Sequence, residues 1–139
     1  LGWSREVELI EQAAARGIFS MAYVATVQDA IDAAEKGADC LVPHVGATSG
    51  GLVGHETETK VDEEIRKISE MIDAVMAAGH APIFLCHGGK IALPEDTRRV
   101  YENTQCVGFV GASSIERIPI EHAVKTIAEN FKSILLSKR

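Results

Sequence analysis

No cluster of lysine or arginine lies along one face of this 139-residue chain, which carries a net charge of -6 and a pI near 5.3. Binding to nucleic acid through its phosphates requires such a face, so nucleic acid is not expected as a partner. No apolar run approaches the length that crosses a bilayer, and the first residues carry no signal-peptide pattern, so a membrane is not expected either. Cysteine is scarce. Cys40, Cys86 and Cys106 are an odd set without CxxC spacing, and Cys40 and Cys86 sit in apolar runs where cysteine behaves as a small hydrophobe. A reduced, cytoplasmic setting is the expectation. Low-complexity segments and linkers are also missing, so residues 1–139 read as one domain. Hydrophobic residues make up 46% and charged residues 24%, enough to build a real core.

What is there alternates between helix and strand from end to end. Ser4 is placed to cap a helix with Val7, Ile10 and Ala14 on one face, ended by Gly17. Residues 18–24 read as a strand. Thr26 with Asp29 resembles a capping box, and that helix runs to Gly37. Residues 38–44 are nearly all apolar, as a strand covered on both faces must be. After a Gly-, Thr- and Ser-rich stretch over 45–61, Asp62 is expected to cap a helix carrying Ile65, Ile68, Ile72, Val75 and Met76. Residues 81–86 are the third strand, Pro94 starts the next helix, and residues 107–110 are the fourth strand. A last helix begins near Pro119, with Ile120, Val124, Ile127, Phe131 and Ile134 expected on its buried side.

One leading helix and four βα units predict an α/β fold with a parallel sheet and right-handed crossovers. Four units do not close a barrel. They match the C-terminal half of a (β/α)8 barrel, or a small open α/β sandwich complete in itself. As a half-barrel, strands 18–24 and 107–110 leave open edges that another half-barrel, another chain or a second copy must cover.

Ligands of parallel α/β sheets bind beyond the carboxyl ends of the strands. Those ends carry Tyr23, then His44 with Gly46 and Thr48, then His87 with Gly88 and Gly89, then Gly111, Ser113, Ser114, Glu116 and Arg117. The opposite ends are Gly and Ala. Two backbone-rich turns side by side, each opening a helix, predict an anion site at Gly88, Gly89, Gly111, Ser113 and Ser114. The alternative is that Gly88-Gly89 merely makes a tight strand-to-helix turn. His44 and His87 suit general acid or base work near neutral pH, or else donate to a neighbouring carbonyl. Metal binding is not expected, because no third ligand has suggestive spacing. Glu116 and Arg117 either pair as a clamp, or Arg117 helps to hold the anion. Thr48, Ser49, Gly50 and Gly51 open a long loop of the kind that forms a lid. His55, His80 and His122 read as surface residues.

Four segments resemble, in order, those of a known family. Gly2-Trp3-Ser4-Arg5-Glu6-Val7-Glu8 is similar to its GFSREVE segment. Ala38 to His44 followed by Gly46-Ala47-Thr48-Ser49-Gly50-Gly51 is similar to its GADI-VAH-GLTTGG stretch. Leu85-Cys86-His87-Gly88-Gly89 matches LCHGG, and Gly108 through Pro119 resembles GFYGASSMERLP. The family is the phosphoenolpyruvate hydrolase-like TIM-barrel group. It includes bacterial signal-transduction barrels and the C-terminal domain of a plant tobamovirus-resistance protein. The resemblance runs over essentially all of the chain and implies strands five to eight of the barrel, distantly related to phosphoenolpyruvate mutase and isocitrate lyase. It also implies oligomeric assembly.

Departures from the family pattern include Leu52-Val53-Gly54-His55-Glu56 after the double glycine, Lys90 where proline is usual, Ala47 for Leu and Val45 for Met. In the related enzymes the Mg²⁺-binding carboxylates lie on earlier strands, so Mg²⁺ is implied for an intact barrel with no ligand from this chain. The resulting expectation is binding of a small phosphorylated or carboxylated metabolite. Lyase or hydrolase chemistry of the phosphoenolpyruvate or oxoacid type would use His44, His87 and Glu116. The alternative is a non-catalytic ligand-sensing or assembly module, and a third reading is a fragment, or one chain of a two-chain barrel, with no separate function.

Overall fold

Strand residues stack here because apolar side chains recur on both faces of short segments, and helices cover one of those faces. A computed structural model describes residues 2–54, 56 and 58–135. Its four strands, β1 (Met21–Val24), β2 (Cys40–Pro43), β3 (Ile83–Cys86) and β4 (Gly108–Phe109), lie parallel in the order β1-β2-β3-β4. Six helices accompany them: α1 (Trp3–Ala15), α2 (Val27–Glu35), α3 (Val61–Ala77), α4 (Pro94–Asn103), α5 (Ser113–Glu116) and α6 (Ile118–Lys132). Every strand-to-strand connection contains a helix, as parallel neighbours require. Strand β2 is buried along its whole length, which explains its unbroken apolar run.

Local chemistry sets the helix boundaries. Thr26 accepts from the Asp29 N–H at 3.1 Å and Asp29 accepts from the Thr26 N–H at 3.0 Å, a full capping box. Pro94 occupies the first turn of α4, and Asp96 accepts from the Leu93 N–H at 3.1 Å. Helix α3 lays Ile65, Ile68, Met71, Ile72 and Val75 onto the core, each worth roughly 2 kcal/mol of burial. The Trp3 indole donates to Asp32 at 3.0 Å and ties α1 to α2. All three cysteines are buried and unpaired. No helix among the described residues is long and apolar enough to cross a membrane.

Several expectations need correction. Gly2, not Ser4, is the N-cap of α1, and Lys60, not Asp62, caps α3. Ser4 and Asp62 lie inside the first turns, where Asp62, Glu63 and Glu64 face the positive end of the helix dipole instead. The strands are shorter than their apolar runs, because pairing stops where the neighbour turns away. A separate one-turn helix, α5, stands between β4 and α6.

The largest departure is α6, which packs on no sheet. Ile120, Val124, Ile127, Phe131 and Ile134, expected to be buried, are 59%, 63%, 56%, 71% and 67% exposed. Their spacing repeats that of α3, so the sequence signal is a true packing face. The sheet ends at β4 and offers it no strand to cover.

Candidate functional site at the strand tips

Parallel pairing continues past the named strands. His44 pairs with His87 as an isolated bridge, so the two imidazoles leave neighbouring strand ends side by side. Their ring centroids are 5.0 Å apart, and Tyr23 stands edge-on to both at 5.6 and 5.2 Å. His87 is buried, and its Nδ1 lies 2.7 Å from the carbonyl oxygen of Val110. A carbonyl only accepts, so Nδ1 carries a proton, and in the uncharged ring this tautomer leaves the lone pair on Nε2. Burial holds the His44 pKa below its ordinary 6.5, and the neighbouring His87 lowers it further.

The first turn of the expected anion site is largely committed elsewhere. The Gly89 N–H donates to Gly46 O at 2.8 Å, the Lys90 N–H to Glu64 Oε2 at 2.8 Å and the Ile91 N–H to Gly88 O at 3.1 Å. Gly89 O in turn accepts from the Ser49 N–H at 2.8 Å. Gly88 has φ +90°, and a Cβ there would run into the Gly46 carbonyl oxygen, so the two loops meet backbone to backbone. Gly88 and Gly89 therefore build the turn, and Gly89 has no amide left for a guest. In the second turn, the N–H groups of Gly111, Ala112, Ser113 and Ser114 have no acceptor among the described residues.

Other expected residues sit differently. Arg117 pairs with Glu121, not Glu116, at 2.8 Å, and donates to Gly50 O at 3.0 Å and to Thr48 O at 3.5 Å. Its guanidinium is a strap over Thr48–Gly51 and is not free for an anion. Glu116 is exposed and lines a cleft with Leu52, Ile120 and Val124, away from the histidine cluster. Ser114 lines an apolar cavity between α4 and α5. His122 is exposed and His80 half-buried, while His55 lies outside the described residues.

Sequence reasoning missed Glu64. It is almost wholly buried beneath the Gly88–Lys90 turn, and desolvation raises its carboxyl pKa above the ordinary 4.5 against the pull of the Lys90 N–H. The available signal was an acidic residue on the apolar stripe of α3, next to Ile65 and one turn before Ile68. Among the described residues no three His, Cys, Asp or Glu side chains are grouped to hold a metal ion. The donor set does not fit Mg²⁺.

Residues 1–134 match the description "Phosphoenolpyruvate hydrolase-like". The chain belongs to that family. The chain is 37% identical over 135 residues to the tomato (Solanum lycopersicum) proteins "ToMV susceptible protein tm-1(GCR26)" and "ToMV resistance protein Tm-1(GCR237)", covering 96% of itself and 18% of each. It is 31% identical over 140 residues to "Putative transcriptional regulatory protein y4pA" of Sinorhizobium fredii, covering 23% of that protein. The chain thus spans less than a quarter of these relatives. Among solved structures, the N-acetylmannosamine-6-phosphate 2-epimerase from Clostridium perfringens superposes with a TM-score of 0.53 at 23% identity. That overlap covers 93% of this chain and 48% of the epimerase, and it establishes parallel βα units of the TIM-barrel kind.

Proposed function

We propose that this member of the phosphoenolpyruvate hydrolase-like family supplies strands five to eight of a (β/α)8 barrel whose tips bind a small phosphorylated or carboxylated metabolite. In the intact barrel the reaction is lyase or hydrolase chemistry of the phosphoenolpyruvate or oxoacid type. The observation that carries this reading is the His44–His87 pair, 5.0 Å apart, beside the uncommitted amides of residues 111–114. His87, with Nδ1–H held by Val110, presents Nε2 as the base. His44, held neutral by its surroundings, is the companion that donates or relays a proton. The Gly111–Ser114 amides and the Ser113 hydroxyl take the anion, as loops after the last two barrel strands commonly do. The Thr48–Gly51 segment covers the site under the Arg117 strap.

The open edges of β1 and β4 and the exposed face of α6 support pairing with four further βα units, or with another copy of the chain. A cytoplasmic setting belongs to the same reading and is supported by the three unpaired thiols.

The test is turnover and binding of phosphoenolpyruvate, pyruvate and oxaloacetate by the full-length protein. Expected is conversion that His87→Gln lowers at least a hundredfold while binding persists. Failure to bind or convert any of the three refutes the reading. A sensing module is the second reading, favoured by the internal commitment of Gly89, Lys90 and Arg117. It is supported if ligand binds to the amides of residues 111–114 without any turnover.

A further inference from the structure

Between α4 and α5, against β4, lies a cavity of about 500 Å³ that the strand-tip reading does not use. Its volume falls in the range of small-ligand sites, roughly 300–1,000 Å³. The walls are apolar: Leu93, Pro94, Phe109 and Ile115. Leu93 and Ile115 are each more than half exposed. Phe109 forms the inner wall and packs against the core behind it.

A few polar groups converge on this apolar space. Ser114 Oγ is buried without any hydrogen-bond partner. A buried hydroxyl left unpaired is costly, and the usual resolution is a partner supplied from outside the chain. Arg98, on the rim, forms no ion pair among the described residues. Its neighbour on the same helix face, Tyr101, adds a phenol hydroxyl to the lining. No acidic side chain of α4 is part of this lining.

We propose that this cavity is a second binding site, meeting the strand tips at Ser114 but distinct from the His44–His87 cluster, for a small carboxylate bearing an aromatic or branched apolar group. The apolar body lies against Phe109, Leu93 and Ile115. The carboxylate pairs with the Arg98 guanidinium, whose planar fork suits two parallel hydrogen bonds. Ser114 Oγ then gains the partner it lacks.

Phenylacetate and its uncharged isostere phenylacetamide are the probes, followed by amide chemical shifts of the ¹⁵N-labelled chain. Expected are saturable shifts at Ala92, Thr97 and Tyr101, with phenylacetate binding in the roughly millimolar range. Arg98→Gln, an exposed site that leaves the core intact, should weaken phenylacetate about tenfold and leave phenylacetamide within about twofold. Ala92→Phe, which fills the cavity, should abolish both. The proposal is overturned if no shift saturates, or if the shifts fall on the exposed face of α6, around His44 and His87, or on residues 111–113. Equal weakening of acid and amide by Arg98→Gln overturns it as well.

Discussion

Replacing Gly88 by alanine should destabilise the fold by about 3–6 kcal/mol, whereas the same change at Gly79 should cost only about 1–2 kcal/mol. The two positions share nearly the same backbone, φ +90° and +88°. Holding an L-residue in that left-handed region costs roughly 1–2 kcal/mol at either site. At Gly79 a Cβ would meet nothing within 4 Å, so this strain is the whole effect. At Gly88 the Cβ collides with Gly46 O, the atom that accepts the Gly89 N–H at 2.8 Å. Overpacking of that kind adds about 1–3 kcal/mol, and a displaced hydrogen bond about 1 more. Urea unfolding followed by circular dichroism measures both variants against the parent. Subtracting one cost from the other cancels the φ strain and leaves the loop contact alone. Two costs within about 0.5 kcal/mol of each other would show that the loops of β2 and β3 do not meet as described.

Glu64 has a folded-state pKa raised above its unfolded 4.5, so its contribution is complete below pH about 4.5 and is lost as pH rises through the folded value. Urea midpoints of the parent, compared with Glu64→Gln across pH 4–8, should show that decline in the parent only. His44 titrates the other way: its lowered pKa costs stability as pH falls below 6.5, and its ring proton shifts should give a midpoint under 6.5. Long-range ¹⁵N correlation spectra should find neutral His87 protonated on Nδ1, and a dominant Nε2–H form would contradict the Val110 contact. Arg117→Gln should speed proteolysis near Gly51 without altering the far-UV spectrum, because the guanidinium straps Gly50 and Thr48. Unchanged cleavage would mean that the strap restrains nothing.

The sequence disclosed the alternation of helix and strand because glycine ends and apolar periods are local properties. The Thr26–Asp29 box and the Pro94 start were legible for the same reason. Adjacency of His44 and His87 was also legible, since consecutive strands of a parallel sheet place their tips together. The fate of each amide was not legible, because Gly89 finds Gly46 through loop shape and not through any motif. Arg117 found Glu121 one turn onward, a partner that the Glu116-Arg117 doublet obscured. The face of α6 was identified as apolar, but burial depends on a neighbour, and no pattern within a helix states whether one is present.

The mouth of the sheet is sewn together by bonds that run between units. The loop after β2 is joined to the loop after β3 through Gly46, Ser49 and Gly89, and His87 reaches across to Val110. Arg117 closes the circuit back to Thr48 and Gly50. Transplanting any single loop from a homologue would therefore cut stitches belonging to two others. Changes of specificity in such a rim have to be made in concert, and substitutions in different loops should show marked epistasis.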